Sequence, residues 1–127
     1  MSIKEKIRLA TDLGSEVIEV PEWDVRIELR SMSARQRTAL QTLINDESVP
    51  QALRQEQMWA FLLTTCCFDP DNGDAVFTDD DMEWLFTQKA FSPIDRIATA
   101  CLNVSAVLKS NADELGKSSS ATPTSAG

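Results

Sequence analysis

With 127 residues, 43% of them hydrophobic and 25% charged, the chain has the size and balance of one soluble globular domain with a modest core. Its net charge of −8, with twelve basic residues scattered along it, argues against nucleic acid and anionic membrane surfaces as partners, because both need clustered Lys and Arg. The lack of histidine removes the commonest general base, zinc ligand and nucleophile partner, and four dispersed glycines make no phosphate loop, so no catalytic residue, cofactor or metal site is expected.

The opening stretch MSIKEKIRLATDLGSE interleaves charges with single apolar residues and has no apolar run of the secretory type. Ser2 with Glu5 forms a capping-box signature, predicting a short helix to about Leu13 with Gly14 as a left-handed stop. The period then changes to two. In VIEVPEWDVRIELR, Ile18 and Val20 alternate with Glu19, and Val25, Ile27 and Leu29 alternate with Arg26 and Glu28, as in half-buried strands. A turn over Pro21–Asp24 sets Val20 against Val25, Glu19 against Arg26 and Ile18 against Ile27, with the apolar pairs on one face.

Beyond the hairpin every segment reads as helix. Ser33 with Gln36 is a second capping box, and Ala39, Leu40, Leu43 and Ile44 supply the narrow apolar face of the helix behind it. Pro50 suits the first turn of a third helix running to about Cys67. This helix is apolar on two sides, Leu53, Trp59, Ala60, Leu63, Cys66 and Cys67 on one and Met58, Phe61 and Leu62 on the other, which makes it central. Its apolar run Met58–Leu63 is far short of the roughly 20 residues that span a bilayer. Ser92 as N-cap with Pro93 behind it opens a last helix whose Ile94, Ile97, Ala98, Cys101, Leu102, Ser105 and Leu108 repeat at three and four. Cys66, Cys67 and Cys101 form no disulfide framework or metal pair and read as small core residues in a reducing cytosol. The expected core includes Ile18, Ile27, Leu40, Leu63, Ile97, Cys101 and Leu102. From Asn111 the composition becomes that of a flexible tail, giving a mainly α (α+β) domain over residues 1–110, with an N-terminal β-hairpin, and a disordered tail over 111–127.

The stretch CCFDPDNGDAVFTDDDMEW, residues 66–84, holds seven carboxylates and no positive charge. It fails as an EF-hand calcium loop: from Asp69, Gly73 falls at the fifth position instead of the sixth and Asp80 stands where a bidentate glutamate belongs. Turn chemistry accounts for more of it. Asp69-Pro70-Asp71-Asn72-Gly73-Asp74 is a dense turn, and Thr78 caps a helix whose first residues, Asp79, Asp80 and Asp81, meet the unpaired N–H groups and the positive end of the helix dipole. Trp84 stands apart, since Met82, Leu85 and Phe86 share one helix face and Trp84 lies on the other. Either another element covers it or it awaits a partner.

The order of pieces is a short helix, the VIEVPEWDVRIELR hairpin, MSARQR opening a helical region, CFDPDNGDAVFTDDDMEWL and a closing amphipathic helix. Over roughly residues 2–110 it resembles the small tail assembly chaperones of long-tailed bacteriophages and prophages. That resemblance implies a non-enzymatic protein of the host cell cytoplasm, absent from the mature virion, which coats the tape measure protein before the tail tube polymerises around it. It further implies a longer product made by programmed frameshift that recruits the tail tube protein, and Leu115-Gly116-Lys117, whose codons can read as a G-run followed by an A-run, is the expected slip site. No family motif assigns the client-binding residues. Position alone nominates Trp23, Trp84 and Phe91, each at a turn or off an apolar helix face. An acidic surface keeps such a holder soluble and steers basic clients, and many copies acting together leave a homo-oligomer open. A small head–tail adaptor retained in the virion is the alternative.

Overall fold

The computed structural model of the chain describes residues 1–105. The expected tail, Leu108 of the last helical stripe and the Leu115-Gly116-Lys117 slip site lie outside them. The described chain runs α1 (Ile3–Leu9), β1 (Ser15–Val20), β2 (Val25–Arg30), α2 (Ala34–Ile44), α3 (Gln51–Cys66), β3 (Cys67–Phe68), α4 (Met82–Gln88) and α5 (Phe91–Val104). It is a mainly helical α+β fold with a three-stranded antiparallel sheet in the order β1-β2-β3.

Both capping boxes form as the sequence specifies. Ser2 Oγ accepts the Glu5 N–H while Glu5 accepts the Ser2 N–H, and Ser33 with Gln36 repeats the arrangement at the start of α2. The hairpin takes the expected register, Ile18 opposite Ile27, Glu19 opposite Arg26 and Val20 opposite Val25. Its tip is a 3-10 turn, Pro21–Trp23, closed by Asp24 at φ 53°, a left-handed position that a short polar side chain tolerates.

Four sequence expectations are corrected. α1 stops at Leu9 instead of Leu13, and Gly14 is no left-handed stop, since among the described glycines only Gly73 has positive φ. Thr11 and Asp12 are poor helix formers with no packing to override them. Gly14 is held at the hairpin root, its N–H donating to Ser31 Oγ at 2.8 Å and its carbonyl accepting the Ser31 N–H at 2.9 Å. Second, Pro50 is the N-cap of α3, one residue before the first turn. Third, α3 ends at Cys66, within a residue of the expected end, but the chain beyond the hairpin is not all helix: β3 pairs Cys67 with Leu29 and Phe68 with Glu28. That pairing partner is nearly forty residues away, so no local period announces it. Fourth, α5 opens at Phe91 with Ala90 as an N-cap lacking a side-chain bond, so Ser92 is no cap and Pro93 sits third in the helix. Proline is tolerated there because first-turn N–H groups have no intrahelical acceptor.

The core lies between the sheet and α3 and α5. Ile27, Leu29, Leu40, Leu62, Leu63, Leu85, Ile97 and Cys101 are buried, and Ile18 and Leu102 pack against them partly exposed. Leu63 confirms α3 as central, whereas Leu53, assigned to the same face, is 48% exposed. Cys66, Cys67 and Cys101 are free thiols buried together, with Cys67 Sγ 4.0 Å from Cys101 Sγ. A hydrogen bond with Cys101 and burial push the Cys66 thiol well above its ordinary value, so it stays protonated and unreactive. The Met32 N–H donates to Ser105 Oγ at 3.0 Å, tying the end of α5 to the segment after the hairpin.

Candidate functional site

The acidic stretch resolves into two pieces of local chemistry. In the turn, the Asp69 carbonyl accepts the Gly73 N–H at 2.7 Å, Asp69 Oδ1 accepts the Asp71 N–H at 2.8 Å and Asn72 Oδ1 accepts the Asp74 N–H at 2.8 Å. Gly73 supplies the φ of 81° that closes it. Downstream, Thr78 and Asp81 form a third capping box around a 3-10 turn, Asp79–Asp81, that leads into α4. Asp81 accepts the Thr78 N–H and also the Trp84 Nε1–H at 3.1 Å, and these bonds hold its carboxyl below the usual range. Among the described residues, no group of three or more His, Cys, Asp or Glu converges as a metal site.

These pieces, with the hairpin tip, enclose a half-open cleft of about 620 Å³. The hairpin contributes Trp23, Val25 and Ile27, the segment after the turn contributes Val76 and Phe77, and α4 contributes Trp84 and Leu85. The floor is therefore apolar. Its charged groups are Glu22, Asp24, Asp69 and Asp71 against Arg26 and Lys89, a rim richer in carboxylates than in cations. Such a volume, apolar with a few placed polar groups, is in the usual range of binding clefts.

The hairpin lip is braced from below. Both terminal nitrogens of Arg96 on α5 donate to the Glu22 carboxylate, one at 2.9 Å, and this bidentate pair lowers the Glu22 pKa to about 2. Trp84 is braced by Asp81, so its indole is oriented yet 40% exposed.

The structure brings together two of the three residues nominated from the sequence. Trp23, half-buried against the core, and Trp84 both line the cleft, from elements some sixty residues apart. Phe91 is elsewhere: its ring meets Trp59 edge-on at 5.4 Å, Phe86 lies 6.0 Å from Trp59, and Phe91 borders a separate shallow hollow beside Asp95 and Arg96. It remains 62% exposed. Val25, Val76 and Phe77 were missed. The hairpin register did carry a signal for Val25, which shares the core face with Ile27 but sits at the tip, where the core ends and the face stays exposed.

No family model and no curated protein matches the sequence. A solved structure does match: the bacteriophage HK97 tail assembly chaperone, at TM-score 0.57 and 21% identity, over 80% of this chain and 95% of that one. The chain has the fold of a phage tail assembly chaperone. The likeness takes in nearly all of the HK97 protein, so it extends beyond the hairpin or any one helix pair.

Proposed function

We propose that this chain is a tail assembly chaperone of a long-tailed phage or prophage, a non-enzymatic protein that holds the tape measure protein during tail morphogenesis. The observation that carries the reading is the HK97 chaperone fold, with an exposed apolar cleft between Trp23 and Trp84 built onto it. A tape measure helix displays apolar side chains until the tube encloses it, and a holder must offer them apolar anchors without aggregating itself. The cleft supplies the anchors, and the net charge of −8 supplies the solubility. The carboxylate-rich rim favours client segments in which basic residues flank an apolar side chain. Recruitment of the tail tube protein belongs, on this reading, to a longer frameshift product sharing the domain. The working place is the host cell cytoplasm, with no copy left in the virion.

Co-expression with the tape measure protein of the same phage tests the proposal. The parent chain is expected to co-purify with it, and Trp84→Ala to lose most of that binding while melting like a folded protein. Trp84 is partly exposed and off the core face of α4, so its removal spares the fold. Undiminished capture by the folded variant would remove the cleft from client binding. Finding the chain among proteins of the purified virion by mass spectrometry would favour the head–tail adaptor instead.

A further inference from the structure

Helix α1 adds no residue to the core: every residue from Met1 to Gly14 is exposed, and none of the helix is buried. It is nevertheless a well-specified helix, closed by a complete capping box. At about 100° per residue, Ile3 and Ile7 share one face, with Lys6 on one flank and Lys4 and Arg8 on the other. The single carboxylate of the helix, Glu5, lies away from that face and is bonded back to Ser2. An exposed apolar pair between cations is the chemical complement of an apolar cleft whose lining holds four carboxylates against the two cations Arg26 and Lys89. The two also occupy opposite ends of the hairpin. α1 joins the body at the root, where Gly14 is bonded to Ser31, and the cleft opens at the tip, about 20 Å away along β1. No α1 residue lines the cleft of its own chain.

We propose that α1 of one copy docks in the Trp23–Trp84 cleft of a second copy, with Ile3 and Ile7 on the apolar floor and Lys4, Lys6 and Arg8 against Asp24, Asp69 and Asp71. The contact is heterologous, since each copy offers a helix and a cleft on different surfaces, and so it repeats from copy to copy. A two-turn helix buries less than a standard interface, which places the association in the micromolar range or weaker. Salt weakens it, because the flanking pairs are exposed. Copies joined this way present α1 to the site assigned above to the client, so client and neighbour compete for one cleft. The inference rests on the cleft being a docking surface and is independent of which client fills it.

Two variants test it without any client. K4E/K6E/R8E reverses the helix and touches no buried group, and W84A/D71K disables the cleft while leaving the turn-closing Asp69 in place. Sedimentation of the full chain from about 1 µM to about 1 mM should show concentration-dependent association of the parent, weakened about tenfold or more in each variant alone. Mixed in equal amounts, the variants should form a dimer that grows no further, because one has the only working helix and the other the only working cleft. As a measurement free of mutation, carbodiimide coupling of isotopically mixed parent chains should link Lys4 or Lys6 to Asp69 or Asp71 between copies. A parent that stays monomeric, a helix variant that associates like the parent, a mixture that yields no dimer, or links confined within one copy would each overturn the proposal. None of these results would touch the tape measure reading.

Discussion

Leu63 gives the sharpest test of how the domain is held together. Its side chain has no solvent exposure, and it lies on α3, the helix that packs against α2, α5 and β2. Leu63→Ala removes three carbons, which at about 0.8 kcal/mol per buried methylene forfeits about 2.4 kcal/mol of transfer free energy. The void left in a packed interior adds to that, for about 2.5–5 kcal/mol in all. In a domain of about 100 residues this lowers Tm by at least about 10 °C. Leu53→Ala is the control on the same helix, a leucine of the same sequence-assigned face that is 48% exposed. Its expected cost is under about 1 kcal/mol. Urea denaturation followed by two probes, with equal slopes for parent and variants, yields both values. A loss below about 1 kcal/mol at Leu63, or equal losses at the two sites, would refute the placement of the core.

Three further expectations follow from particular groups. Glu22, held at about 2 by Arg96, has a folded pKa below its ordinary 4.5, so its contribution is full above pH 4.5 and disappears as pH falls through 2; Glu22→Gln should flatten that part of an acid-unfolding profile, and an unchanged profile would show that the brace contributes nothing. Gly73→Ala should destabilise by about 1–2 kcal/mol through its positive φ, since the new Cβ meets Arg30 Nη2 only at an ordinary 3.5 Å, and Gly73→Asn should cost less; equal melting of all three proteins would dismiss the left-handed turn. The gene itself tests the two-product mechanism: a slippery run between codons 110 and 127, followed by an overlapping frame, is expected, and its absence would remove the tail tube recruitment assigned to a longer product.

Features carried by neighbouring residues were legible in the sequence. The capping boxes at Ser2 and Ser33, the hairpin register from Ile18 to Ile27, the Asp69–Asp74 turn and the Thr78 capping box on the 3-10 turn before α4 each depend on side chains within a few residues of the backbone they satisfy. Periodicity also named Leu40, Leu63, Ile97 and Cys101 as core, because one face of a helix must be buried whatever covers it. Tertiary structure decided the rest. It turned Cys67–Phe68 into a strand, since β2 offered an open edge; it started α5 at Phe91, where the ring packs on Trp59; and it left α1 shorter and unburied, with Ile3 and Ile7 exposed. The cleft belongs to this second class. Trp23 and Trp84 are conspicuous in the sequence as aromatic residues at a turn or off a core face, but that both line one cleft with Ile27, Phe77 and Leu85 is decided by contacts between the hairpin, the segment after the acidic turn and α4. Contacts between residues far apart in sequence leave no local period, which is why the anchors could be nominated one by one while the surface they form required the folded chain.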